Sequence, residues 1–568
     1  MSVLGKKWEI KNADGNKSVI DKILANRGLS DPDDLALFLK PDFNKDFHDP
    51  YLMGGMDRAV ERIEKAIKNK ERIIVYGDYD VDGISGCAIL VLTLQHLGAE
   101  VSYRLPHRLN DGYGLNEKFI DEFKEAGVTL LITVDCGISN AKEVAIAKEK
   151  GVETIITDHH QIPQNYPEAA YEVLHPARPD SNYPFKDLTG AGVAFKLAHA
   201  LLRHDGHGED DNSLIFALLD LASLGTVADC GPIVGENRLI VKKGLEMLPQ
   251  TKWEGLKFLQ EIAGIDGTKK LSTYNIGYQI APRINAAGRI DSPYYALQLL
   301  IQGGETENAK KLANKLETLN KKRQIMLADA FEEAERRYKE EERSSPDEKM
   351  IIHYDKDWHV GIIGLVAGRL SEKYSKPSII LQDFGDYLVA SARSPQFFNI
   401  VEAITECSSY LDHFGGHAQA AGFSLKKENL KAFMTDIKKY TKNKLKKCDL
   451  QQPLSIDCEI KSDELSWETV ELIESLEPFG IANERPKFVL KDAEINEAKS
   501  VGKEHNHLSI DVSKDGTRLK GIAFNMGGFT DFVRTHRSLD IVFQLERNEW
   551  KGRKSLQMKI VDFSDSSQ

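Results

Sequence analysis

From residue 71 onward, short apolar runs rich in β-branched residues, at 72–76, 100–105, 129–134, 153–157 and 171–174, alternate with stretches at 84–97, 116–126 and 140–150. The apolar positions of those stretches recur at helical spacing. Strand–helix alternation of this kind predicts βαβ units and a parallel sheet covered by helices. Two more helical stretches follow at 191–203 and 213–226. Residues 305–343 are dense in Lys, Glu, Ala and Leu and hold neither Pro nor Gly. That pattern predicts one long charged helix, ending before Ser344-Ser345-Pro346-Asp347 at a domain boundary. Runs at 350–354, 378–381 and 387–392 around a helix at 360–374 predict a second α/β block, closed by the Lys-rich stretch 426–447. Beyond residue 451 the pattern changes to short strand-like runs at 488–490, 507–512, 519–524, 539–545 and 556–561, with polar turns between them. These predict a small antiparallel barrel or sandwich. The expected organisation is an N-terminal leader segment at 1–50, a first α/β domain at 51–240, a helical connector at 241–345, a second α/β domain at 346–450 and a β domain at 451–568.

Composition narrows the class. The chain has 568 residues, of which 41 % are hydrophobic and 29 % charged. This is ordinary soluble usage and excludes a mainly disordered or fibrous chain. The start, Met-Ser-Val-Leu-Gly-Lys-Lys-Trp, lacks the apolar stretch of a secretory signal. The run at 87–98 is interrupted by Thr93, Gln95 and His96, so no membrane span is expected. Cys87, Cys136, Cys230, Cys407, Cys448 and Cys458 lie far apart without a Cys-x-x-Cys pair. They fit a reducing cytoplasm and argue against zinc ribbons or a disulfide scaffold. The net charge of −12 argues against a general nucleic-acid coat but leaves room for a local basic groove.

The chemistry concentrates at strand ends. Tyr76-Gly77-Asp78-Tyr79-Asp80-Val81-Asp82-Gly83 follows one apolar strand and precedes a helix, which puts its carboxylates at the C-terminal edge of the sheet, where open α/β sheets place their sites. Asp78, Asp80, Asp82 and Gly83 also match the opening of a calcium loop. The twelfth position of such a loop needs a bidentate Glu, and here it is Ile89. Val134-Asp135-Cys136-Gly137 and Asp158-His159-His160 end two further strands, and Val227-Ala228-Asp229 ends a helix. Singly, each Asp reads as a helix cap. Jointly, hard carboxylates with an imidazole suit Mn²⁺ or Mg²⁺, and two such ions about 4 Å apart need several ligands with one shared. Basic residues join them. Arg108 follows a strand at the same sheet edge, and Pro282-Arg283-Ile284-Asn285-Ala286-Ala287-Gly288-Arg289 sets two arginines in a small-residue segment. Arg pairs bidentately with phosphate oxygens. A structural arginine pair is the bland alternative for Arg283 and Arg289.

This Asp-Asp-His-His constellation resembles the DHH phosphoesterases. From about residue 50 to the end the chain is similar to the RecJ family of single-strand-DNA exonucleases among them, on the motifs quoted above and Phe414-Gly415-Gly416-His417. The resemblance implies a DHH domain at 51–240, a DHH-associated (DHHA1-type) domain at 346–450 that grips substrate through Arg393, Ser394 and His417, and an OB-fold at 451–568. It implies that Asp80 and Asp135, helped by Asp78, hold one cation and that Asp82, Asp135, His159 and Asp229 hold the other, with His160 facing the scissile phosphate. Many smaller relatives carry a His where this chain has Tyr76. Residues 499–559 hold 12 Lys and Arg against 7 Asp and Glu, interleaved with Phe524, Phe529, Phe532, Phe543 and Trp550. Basic charge with aromatic platforms is what single-strand-binding barrels use, although each ring alone also fits a core.

The implied activity is two-metal hydrolysis of single-stranded DNA from 5′ to 3′, releasing mononucleotides in recombination and repair. The implied partners are a single-strand-binding protein and a RecQ-type helicase, for a cytoplasmic monomer. Two alternatives are a phosphodiesterase on short oligonucleotides or cyclic dinucleotides, and a catalytically silent single-strand-binding scaffold.

Overall fold

The computed structural model describes residues 2–14, 16–108, 111–112, 114–206, 213–302, 306–445, 450–550 and 552–566. Glu305, Lys446, Lys447 and Cys448, which belong to segments or residues singled out above, lie outside the described residues, as does the side chain of Trp550. The chain divides into two units, residues 42–444 with 480–482, and residues 1–41, 445–479 and 483–568. The first strand, β1 (Lys7–Asn12), belongs to the second unit.

In the first unit, β2 (Arg72–Gly77), β3 (Glu100–Arg104), β4 (Val128–Val134), β5 (Glu153–Thr157) and β6 (Glu172–Leu174) form the expected parallel sheet in the order β3-β2-β4-β5-β6. Alternation sorts the side chains onto two buried faces. Ile73, Val75, Leu130, Ile132 and Ile155 face a core shared with the helices Val81–His96, Gly190–His204 and Leu214–Ala228. Ile74, Tyr76, Leu131, Ile156 and Val173 face the helices Glu117–Glu125 and Ala141–Glu149. Each such burial stabilises by roughly 1.5–3 kcal/mol, so the register is strongly set.

That register places the site. Gly77 pairs with Val134, Val134 with Thr157, and Thr157 with Leu174. The ladder continues one rung past the strands. The N–H of Asp78 donates to Val134 O (3.2 Å), that of Asp135 to Thr157 O (3.0 Å) and that of Asp158 to Leu174 O (3.2 Å). Three carboxylates therefore stand side by side at the C-terminal edge.

The long helix runs over Thr306–Ser344, 39 residues, or about 58 Å at 1.5 Å per residue. Its Leu312, Leu316 and Leu319 enter the core of the first block, and its Leu327, Ala330, Ala334 and Tyr338 enter that of the next. The second block is a mixed sheet of β7 (Ile351–Asp355), β8 (Ser378–Asp383), β9 (Tyr387–Arg393), β10 (His413–His417) and β11 (Ala420–Lys426), in the order β10-β11-β9-β8-β7.

In the second unit, β12 (Pro453–Glu459) precedes β13 (Phe488–Val501), β14 (His507–Lys514), β15 (Thr517–Ala523), β16 (Ser538–Trp550) and β17 (Arg553–Asp565). The pairings β13–β14, β14–β15, β15–β17, β17–β16 and β16–β13 close a five-stranded barrel. Closure leaves β13–β17 without an open edge. Phe543 is buried in the core, with Phe529 and Phe532 packed against it, while Phe524 is exposed.

The expected leader at 1–50 is not a separate segment. β1 pairs in parallel with β12, and Val19, Ile23 and Leu29 pack with Val470 and Ile473. Arg27 forms a buried ion pair with Asp457 at 3.2 Å. Partners more than 400 residues away leave no local periodicity to read, which is why these residues looked like a leader. No helix among the described residues is long and apolar enough to cross a membrane.

Candidate metal centre

Asp80 caps the helix Val81–His96, its Oδ1 accepting from the N–H groups of Asp82 (3.0 Å) and Gly83 (3.2 Å). This turns Asp82 inward on the first turn, where its two oxygens accept from the N–H groups of Gly190 (2.6 Å) and Ala191 (2.9 Å) at the start of another helix. A helix N-terminus favours that negative charge. Asp229 ends the helix Leu214–Ala228. His159 Nε2 sits among them, 3.1 Å from Asp135 Oδ1, 3.6 Å from Asp229 Oδ2 and 3.8 Å from Asp82 Oδ2.

Three donor sets result, Asp78–Asp80–Asp135, Asp82–His159–Asp229 and Asp135–His159–His160, the donor atoms of each lying within 4.8 Å of one another. Asp135 belongs to two sets. It holds a left-handed backbone, φ 59°, a conformation that is strained for most side chains and that clusters at functional sites. Tyr76 takes no part in any set. Its ring packs by Phe119 and Phe123, and its hydroxyl donates to Gly114 O at 2.7 Å.

The electrostatics call for cations. Burial and then the charge of Asp80 push Asp78 up to about 8, and the same two causes push Asp229 up to about 7. Burial raises Asp82 and Asp135 well above the carboxylate range, next with repulsion from Asp229 on Asp82 and from Asp82 on Asp135. Asp78 Oδ1 is buried and accepts no hydrogen bond. Carboxylates and one imidazole, buried together with an orphaned oxygen, fit hard divalent cations. The two histidines divide. Burial, then the neighbouring His160, lowers His159 to about 4, leaving a neutral ring with a lone pair to offer. Burial opposes charge on His160, but Asp158 Oδ1 at 2.8 Å outweighs it and raises His160 to about 9.

Beside the carboxylates lies an arginine cluster. Arg108 stacks over the Tyr79 ring at 4.1 Å, with its Nε buried and unbonded. Arg289 is held down to about 9 by burial and then by Arg108, with Arg323 and Arg393 adding repulsion. Arg393 is also lowered by burial and then by Arg108. Arginines that repel one another in a buried site leave room for an anion. Arg283 and Ser394 have hydrogen-bond partners within the protein. Arg283 donates from Nε to Glu317 Oε2 (2.7 Å) and from Nη1 to Gln279 O (2.6 Å). The Ser394 hydroxyl donates to Phe398 O (2.7 Å) and Ala418 O (3.2 Å), fixing its own loop. His417 is exposed on β10, within electrostatic reach of His159.

Residues 72–226 match the DHH family N-terminal domain, residues 347–443 the DHHA1 domain and residues 456–562 the RecJ OB domain. The single-stranded-DNA-specific exonuclease RecJ of Bacillus subtilis is 36 % identical over 569 residues, covering 98 % of this chain and 70 % of that one. This chain belongs to the RecJ family. A crystal structure of RecJ with Mn²⁺ from Thermus thermophilus superposes with a TM-score of 0.83 at 28 % identity, covering 98 % of this chain and 79 % of that one. The Mg²⁺ complex from the same organism gives 0.76 at 27 % identity, covering 98 % and 78 %.

In this RecJ-family chain, sequence reasoning passed over three participants. Asp158, part of the quoted motif but given no role, anchors His160 and takes N–H bonds from Ile138 (2.9 Å), His159 (2.7 Å) and His160 (3.1 Å). Gly190 and Gly225 let backbone approach the carboxylates, since a Cβ on Gly225 would lie 2.5 Å from Asp82 Oδ1. The small-residue run Gly190-Ala191-Gly192 was the available signal for the first.

Because ligand carboxylates raised to about 7 and 8 must lose protons to bind a cation, Mn²⁺ affinity is expected to rise steeply from pH 6 to pH 8. Titration calorimetry in buffers of different ionisation enthalpy checks this. Proton release should accompany binding at pH 6.5 and shrink by pH 8.5.

Proposed function

We propose that the chain is a metal-dependent exonuclease that degrades single-stranded DNA from its 5′ end to mononucleotides, in recombination and repair. The observation that carries this is the rung of Asp78, Asp135 and Asp158 at one sheet edge, with the donor sets around Asp135 and the arginine cluster beside them. Asp78, Asp80 and Asp135 would hold one divalent cation, and Asp82, Asp135, His159 and Asp229 the other. When bound, such a pair supplies Lewis-acid stabilisation of phosphate oxygens and a water of lowered pKa.

The protein's own residues do the rest. Arg108, Arg289 and Arg393 position the phosphate and offset its charge, at a cost in turnover of about 10²-fold for each well-placed donor removed. His160, charged at neutral pH and held by Asp158, faces the scissile phosphate and keeps a proton within reach of the leaving oxygen. His417 closes the site from the second block. In the barrel, exposed Phe524 lies near His507 and Lys559 and offers a base-stacking face. A cytoplasmic monomer, working with a single-strand-binding protein and a RecQ-type helicase, completes this proposal.

A phosphodiesterase of short oligonucleotides or cyclic dinucleotides would have no use for the closed barrel, and a silent scaffold would have no use for a full donor set. Incubation with Mn²⁺ on a long single strand, its matched duplex and a dinucleotide tests the proposal. The single strand should be consumed at least tenfold faster than either competitor, whereas preference for the dinucleotide would reverse the assignment.

A further inference from the structure

Tyr274 and Tyr278 are 61 % and 73 % exposed, the two most exposed aromatic side chains among the described residues. They stack on each other, with ring centroids 4.9 Å apart and planes 22° apart. Two rings left in water, each with an open face, gain nothing for the core. The backbone beneath them is built to hold them there. Tyr274 immediately precedes a π-helical turn, Asn275–Ile280, that carries Tyr278. Such turns are rare and often mark functional sites. Ile276 and Ile280 are fully buried and pin the turn, and Asn275 Nδ2 donates to Gln279 Oε1 at 2.7 Å across it.

The position matters as much as the exposure. A Cβ on Gly277, between the two tyrosines, would lie 3.7 Å from Val227 Cγ1, and Val227 is two residues before Asp229 on the helix that delivers that carboxylate. The turn then runs straight into the helix Ala281–Ile290, which carries Arg289 into the arginine cluster. The tyrosine pair thus sits on a turn that packs by the helix ending at Asp229 and leads into the helix that carries Arg289.

We propose that Tyr274 and Tyr278 form a stacking platform for one nucleobase of the strand entering the metal centre. This rests on the exonuclease function above and adds to it a source of preference for single strands. An unpaired base has a π-face to offer, whereas bases inside a duplex keep both faces covered by their neighbours. Stacking also tolerates every base, as an enzyme consuming arbitrary sequence requires.

The test uses the full chain with Mn²⁺ and a 5′-labelled oligonucleotide series carrying one abasic residue at successive positions. Tyr274→Ala/Tyr278→Ala is expected to raise KM for the intact oligonucleotide about tenfold with little change in kcat, and Tyr274→Phe/Tyr278→Phe to restore it. At one position, the abasic substitution should weaken binding to the wild-type chain and not to the Ala pair. An unchanged Mn²⁺-induced rise in melting temperature shows that the Ala pair is folded with its centre intact. A KM within about twofold of wild type, or equal abasic penalties for both proteins at every position, overturns the platform. Binding without cleavage by the wild-type chain overturns the exonuclease function instead, and the abasic binding series still decides the platform.

Discussion

Asp135→Asn is expected to lower Mn²⁺-dependent cleavage about 10³-fold, or roughly 4 kcal/mol of activation barrier, with no loss of fold. Asparagine tolerates the left-handed backbone that Asp135 adopts. It is also nearly isosteric with the protonated acid, and burial among Asp82, Asp80 and Asp78 favours that neutral form when no cation is bound. The metal-free variant should therefore melt at or above the wild-type temperature. Its loss appears only with cations, because it removes one negative charge from a residue common to two donor sets. Scanning fluorimetry with and without Mn²⁺, alongside single-turnover cleavage, separates the effects. Wild-type turnover in this variant would remove Asp135 from the centre.

The second large effect is expected at a residue without a side chain. A Cβ on Gly190 would lie 2.5 Å from Asp135 Cβ and 2.7 Å from its Cγ. The same residue donates its N–H to Asp82 Oδ2 at 2.6 Å. Gly190→Ala must therefore push Asp135 off its rung or shift the helix start away from Asp82, and either movement spreads the donors. Overpacking of this kind costs about 1–3 kcal/mol of stability. Cleavage is expected to fall about 10²-fold, because catalytic positioning is lost with displacements near 1 Å, and Mn²⁺ affinity to fall with it. Gly267→Ala is the control, since the nearest atom to its Cβ is Pro249 O at 3.9 Å. Equal behaviour of the two variants in fluorimetry and cleavage would contradict the close-approach account.

What could be read from the sequence follows from how far each signal reaches along the chain. The strands 72–76 and 129–134 and the long helix announce themselves through local periodicity, and Asp78, Asp135 and His159 through their place directly after such strands. The rung itself follows from strand register, which buried alternation fixes. Long-range partners left no such trace. The pairing of β1 with β12 and of Arg27 with Asp457 joins residues over 400 positions apart, so the first 41 residues could not be assigned to the C-terminal unit. The arginines show the same limit. Arg283 and Arg289 share one short segment, yet Glu317 on the long helix engages the first while the second is buried beside Arg108. The partners of Ser394 are equally unannounced, since a hydroxyl next to Arg393 gives no hint that it bonds the carbonyls of Phe398 and Ala418. The opposite charge states expected of His159 and His160 depend on Asp158, which hydrogen-bonds one ring and not the other.

The most direct measurement is single-turnover digestion of a long single-stranded DNA labelled separately at each end, in Mn²⁺ and in EDTA. Mononucleotides should leave the 5′ end first in Mn²⁺, the 3′ label should persist until the strand is nearly consumed, and EDTA should abolish both. Release from the 3′ end would contradict the direction of attack, and cleavage that survives EDTA would contradict the metal centre itself.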